Sequence, residues 1–79
     1  MAKKDEDFKY EIVEHLCDLG DSNEKGWKKE LNIVKWNGGD EKYDIRSWNA
    51  DHTKMGKGIS LSYEEFAIIC SEAYDRGIC

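Results

Sequence analysis

Residues Lys42 to Ser62 read KYDIRSWNADHTKMGKGISLS. Across Lys42 to Trp48, Tyr43 and Ile45 fall on one side and Asp44, Arg46 and Trp48 on the other, the two-residue period of a β-strand. Asn49 to Lys57 is polar and contains Gly56, which predicts a long exposed connection whose Lys54 and Lys57 can move. Gly58 to Leu61 predicts a short strand with Ile59 and Leu61 on the same side as each other. Ser62-Tyr63-Glu64-Glu65 then has the form of a capping box, in which the Ser62 hydroxyl accepts from the Glu65 amide and the Glu65 carboxylate reaches back. Phe66, Ile69, Cys70, Ala73 and Tyr74 follow the spacing of an amphipathic helix, and Gly77 offers a left-handed stop.

Working back from this stretch, Asn37-Gly38-Gly39-Asp40-Glu41 supplies glycines for a chain reversal, so Trp36 and Tyr43 flank a predicted hairpin. Trp27 to Trp36 is predicted as a strand with Trp27, Leu31 and Ile33 of one parity and Lys28, Glu30, Asn32, Val34 and Trp36 of the other. Leu31 and Ile33 are assigned to the core. Lys29 and Lys35 share their parity, so either they lie near the strand ends or a bulge shifts the register. Asp18 to Gly26 is rich in turn formers and reads as a loop. In Phe8 to Leu16, Phe8, Tyr10 and Ile12 alternate with polar residues as a half-buried strand would. Ile12, Val13, Leu16 and Leu19 would also share a helical face, and it is the β-branched and aromatic first half that favours the strand. Residues 1–7 read as a loose tail and 8–79 as a single domain. The expected fold is α+β: a curved four-stranded antiparallel sheet followed by one C-terminal helix.

A chain of 79 residues with no proline fits one small domain, and so small a core would profit from a partner subunit. No apolar run approaches the roughly 20 residues of a membrane span, and Met1 leads into charge, so a cytoplasmic protein without a signal peptide is expected. Cys17, Cys70 and Cys79 are odd in number and form no C-x-x-C, which fits reduced thiols better than a disulfide framework. Cys70 is expected to pack on the apolar face of the helix. His15, Cys17 and His52 match no recognised metal spacing, and Asp40, Glu41 and Asp44 complete no two-metal site. No nucleophilic triad or phosphate-cradling loop is present either, so neither catalysis nor a cofactor or metal is expected.

The net charge of −5 is unevenly spread. Lys25 to Lys57 holds eight basic and five acidic residues, a net of +3, whereas the remainder nets −8. A basic face on an acidic body is a field that steers polyanions. The sheet face away from the helix would expose Lys28, Trp36, Arg46 and Trp48, with lysines of the adjoining loops around them. Cationic groups can meet phosphates while indoles stack on unpaired bases, a pairing suited to single strands. The ordinary alternative is that both tryptophans are packed at a sheet edge or a subunit contact.

The run YDIRSW, followed after a polar loop by GKGISLSYEEF, resembles the signature of the positive cofactor four family of single-stranded-DNA-binding transcriptional coactivators. The upstream GWKKELNIVKWN and the short length are similar to the bacterial YdbC-type members of that family. The resemblance extends from about Phe8 to Tyr74. It implies a two-fold homodimer whose concave strand surfaces bind single-stranded DNA with little sequence preference. It puts Arg46 on the DNA-facing side of the third strand, Lys57 in the basic loop, and Trp36 and Trp48 near the family's stacking aromatics. Asp44, acidic on that face, matches the family pattern and is taken as structural.

The expected nucleic-acid-binding residues are therefore Lys25, Lys28, Lys35, Trp36, Arg46, Trp48, Lys54 and Lys57. Expected partners are single-stranded DNA or RNA, a second copy of the chain, and proteins of transcription or replication. A protein-interaction module using the same tryptophan face is the rival from another class.

Overall fold

The structure is a computed structural model and describes residues 9–79. Four strands, β1 (Tyr10–Asp18), β2 (Lys28–Trp36), β3 (Glu41–Trp48) and β4 (Met55–Leu61), form one antiparallel sheet in the order β1-β2-β3-β4, followed by helix α1 (Tyr63–Asp75). The expected ββββα order is therefore the observed one. The expected tail and Phe8, the expected first strand residue, lie outside the described residues.

Segment by segment, local chemistry accounts for the boundaries. Asn37 and Gly38 both take positive φ, at 52° and 75°, and turn β2 into β3. At the start of α1 both halves of the capping box are made: the Glu65 amide donates to Ser62 Oγ at 3.1 Å, and the Ser62 amide to Glu65 Oε1 at 2.8 Å. The helix stops where predicted, with Gly77 at φ 78° and the Ile78 amide donating to the Ala73 carbonyl at 2.9 Å. That six-residue closure belongs to a Schellman ending and requires a left-handed residue.

The register of β2 against β3 is unbroken from Lys28 to Lys35, so Lys29 and Lys35 do lie near the strand ends and β2 carries no bulge against β3. Irregularities occur instead in the β1 pairing, between Ile12 and Glu14 and between His15 and Cys17, and in the β3–β4 pairing, where Gly56 and Lys57 of β4 stand opposite the single β3 residue between Arg46 and Trp48. The last of these lets β4 begin at Met55, three residues before the expected Gly58. Bulges add twist and bend, and here the bend is large. Tyr10 at the start of β1 and Trp48 at the end of β3 stand at diagonal corners of the sheet, yet their ring centroids are 5.4 Å apart.

Curvature inverts the expected distribution of burial. Tyr43 stacks on Phe66 at 4.3 Å, which ties α1 to β3, and Ile33, Ile45 and Leu61 line the same face. That face is only half covered, since α1 has no buried residue and Ile59 and Ile69 are exposed. Cys70 is exposed as well, rather than packed. The residues with least exposure, Val34, Asn32, Asp44, Trp48 and Glu30, all lie on the opposite, concave face. A strongly coiled sheet brings the side chains of its concave face together, so burial there needs no second layer.

Gly58 lies opposite Arg46 on this concave side, and a β-carbon added to it would run into Arg46 Cβ and the Ile45 carbonyl oxygen. Gly58→Ala is expected to destabilise the domain by about 1 to 3 kcal/mol through overpacking, read as a lower urea midpoint.

Candidate nucleic-acid interface

The candidate site grows from Asp44 in the middle of β3. Its carboxylate is fully buried and receives four hydrogen bonds: Arg46 Nε to Oδ1 at 2.8 Å and to Oδ2 at 3.1 Å, Arg46 Nη2 to Oδ2 at 2.9 Å, and Ser60 Oγ to Oδ2 at 2.8 Å. Strand alternation puts Asp44 and Arg46 on one face, and antiparallel pairing puts Ser60 opposite Asp44. Ser60 in turn accepts from Trp36 Nε1 at 2.9 Å. The guanidinium carbon of Arg46 sits 4.7 Å from the Trp36 ring centroid, a cation–π contact. Arg46 Nη1 also donates to the Gly56 carbonyl at 3.3 Å. Arg46 and Trp36 are thus held in a fixed stacked pair, with the Arg46 side chain 15% exposed and Trp36 half-buried.

The connection after β3 is tied down as firmly. Asn49 accepts from the Lys54 amide at 2.9 Å and donates to Thr53 Oγ1 at 3.0 Å. The Thr53 hydroxyl donates to Asp51 Oδ1 at 2.7 Å, and this bond, followed by one from the Thr53 amide, holds the Asp51 carboxyl below its ordinary pKa. His52 adopts φ 59°, uncommon for a side-chain-bearing residue, and is held there by the Tyr10 hydroxyl donating to its carbonyl at 2.6 Å.

Of the predicted residues, Trp36 and Arg46 are brought together as described, and Lys28 lies on the same face. Its Nζ pairs with Asp18 Oδ2 at 3.2 Å. Lys25, Lys54 and Lys57 are exposed, Lys57 within the β3–β4 bulge. Two placements differ from expectation. Trp48 does not present its ring outward: it is 1% exposed, packed by Tyr10 and by His52 at 5.5 Å, because curvature folds the two diagonal corners over it. Lys35, half-buried, has the parity of Leu31 and Ile33 and so lies on the face away from Arg46.

Residues 23–72 match the family of transcriptional coactivator p15 (PC4). An uncharacterized protein of Treponema pallidum (strain Nichols) is 44% identical over 64 residues, which cover 81% of this chain and 74% of that protein. The chain belongs to the PC4 family. The PC4 match includes Trp36, Asp44, Arg46 and Ser60, that is, every member of the stacked network, whereas β1 precedes it.

Sequence reasoning missed Ser60, Glu30, His52 and Tyr10 as builders of this face. Ser60 could have been found from its parity opposite Asp44. Tyr10 and His52 could not, because their packing on Trp48 depends on how far the sheet coils.

Among the described residues, Trp48 Nε1 is buried with no hydrogen-bond partner. Trp48→Ala is expected to cost about 3 to 5 kcal/mol, close to the whole stability of a small domain. Trp48→Phe should cost far less, since it keeps a ring and removes the orphan donor. Urea denaturation of the two variants beside the parent checks both.

Proposed function

We propose that this chain binds single-stranded DNA without sequence preference and without catalysis, through the concave face centred on Arg46 and Trp36. The observation that carries the proposal is the fixed Arg46–Trp36 pair, braced by Asp44 and Ser60 inside the PC4-matched residues. A guanidinium with its orientation already set loses little freedom on meeting a phosphate. Planar and cationic groups contact the backbone and the π-faces that every base has, and so do not discriminate among sequences. Lys25, Lys54 and Lys57 add exposed point charges in the connections and the β3–β4 bulge of the same sheet. Trp48, being packed, acts in this scheme as a support for the face and does not stack on bases. Support of transcription, replication or repair in a bacterial cytoplasm follows from this activity as part of the same proposal. Among the described residues, no helix is long and apolar enough to cross a membrane.

The same proposal includes a two-fold homodimer. α1 leaves Ile69 49% exposed and Tyr74 72% exposed, and Ile59 of the sheet is 54% exposed beside it. So many uncovered apolar residues on one face are characteristic of a surface that meets another chain, and a second copy laying α1 against this one would cover them. Ile69→Glu is expected to shift the species seen by sedimentation velocity from dimer toward monomer, with helical circular dichroism retained. A parent protein that sediments as a monomer at high concentration would exclude the dimer.

Fluorescence anisotropy with single-stranded DNA, duplex DNA and RNA of equal length tests the binding. Single strands should bind more tightly than duplex, and log affinity should fall with log salt by about 0.7 per phosphate contacted. Lys54→Ala and Lys57→Ala combined should weaken binding to all sequences alike and flatten that slope by about 0.7 for each phosphate no longer neutralised. Binding to none of the three ligands would exclude the proposal.

A further inference from the structure

His15 and Asp18 of β1 are three residues apart, a spacing that in a regular strand points side chains to opposite faces. The bulge between His15 and Cys17 alters that. It sets His15 opposite Asn32 and Asp18 opposite Glu30, so both turn toward the same buried carboxylate. One donor atom each from His15, Asp18 and Glu30 lie within 4.8 Å of one another. They border a cleft of about 430 Å³, which His52 also lines.

Hydrogen bonding within the cluster fixes the His15 tautomer. Asn32 Nδ2 lies 3.0 Å from Glu30 Oε1, and an ionised carboxylate only accepts, so the amide orientation is set. Asn32 Oδ1 then faces His15 Nδ1 at 2.7 Å, which requires that Nδ1 carry the hydrogen. A neutral His15 consequently turns the lone pair of Nε2 toward Asp18 Oδ1, 3.1 Å away. Two acceptors at that distance need a cation: either a second proton on the ring or a metal ion.

We propose that His15, Asp18 and Glu30 form a binding site for a divalent d-block cation of the zinc type. Zinc bonds to imidazole nitrogen and carboxylate oxygen of about 2.0 to 2.2 Å put tetrahedral ligand atoms roughly 3.4 Å apart. The 3.1 Å between His15 Nε2 and Asp18 Oδ1 is close to that separation. The Nδ1–H of His15 donating to an oxygen is the outer contact that metal-bound histidines ordinarily make, fixing Nε2 as the ligand atom. One imidazole with two carboxylates suits zinc, whereas calcium and magnesium take all-oxygen sites. The fourth position belongs to water or to His52, whose Nε2 is 3.0 Å from both Glu30 oxygens.

The test uses the full chain carrying Cys17→Ser, Cys70→Ser and Cys79→Ser, because the three exposed thiols would compete for metal. Isothermal titration with zinc chloride should show one ion per chain. Cobalt(II) in its place should give visible bands of a four-coordinate nitrogen and oxygen site. His15→Ala and Asp18→Asn, both at exposed positions, should each weaken zinc binding at least about tenfold with the far-ultraviolet dichroism unchanged. Zinc affinity equal in parent and variants would overturn the site. So would absence of zinc binding by the parent together with two protons on the His15 ring in nitrogen-15 spectra, which would assign the contact to a proton. No nucleic acid enters the measurement, so its failure would leave the DNA-binding proposal standing.

Discussion

A fully buried carboxylate at the centre of β3 is the constraint on which the concave face depends. Taking an ionised Asp44 out of water is costly unless its oxygens are paired, and three partner atoms of Arg46 and Ser60 supply the pairing. The same bonds fix where Arg46 points, where the Ser60 hydroxyl is available to Trp36 Nε1, and hence the pitch of the indole against the guanidinium. An acidic residue on a face proposed to meet phosphate looks unfavourable in isolation. Here its charge is absorbed by Arg46, whose Nη1 remains directed toward the Gly56 carbonyl at the rim. Gly58 belongs to this arrangement because only a glycine leaves room for Arg46 to pass.

Curvature is the second determinant, and it sets what is inside. Bulges in β1 and β4 coil the sheet until Tyr10, Trp48 and His52 meet, which makes a small core out of the concave face itself. The helix side carries the sequence's most regular apolar alternation, yet within one chain it stays half open. The two faces thus differ in kind: polar and aromatic burial organises the concave side, while the apolar side stays largely uncovered within one chain.

The element order, the hairpin at Asn37-Gly38, the capping box at Ser62 and the Gly77 stop were legible in the sequence because each depends on residues within a few positions of one another. Arg46 and Trp36 were legible as members of one face through parity and family resemblance. Trp48 was assigned correctly to that face but wrongly to solvent. Parity says which side a residue lies on, and burial depends on long-range bending that no local pattern encodes. Lys35 failed for the opposite reason, since its own parity already placed it with Leu31 and Ile33 and its positive charge was given more weight. The bulge that aligns His15 with Asp18 was invisible for the same reason as the fate of Trp48.

The central claim, that the Arg46–Trp36 face receives single-stranded DNA, is tested most directly by nitrogen-15 chemical-shift mapping with a short thymidine oligonucleotide. The largest perturbations should fall on Trp36 Nε1, Arg46 Nε and the amides of β3 and β4 around Gly58, with the α1 amides scarcely moved. Perturbations confined to α1, or none at saturating oligonucleotide, would contradict it.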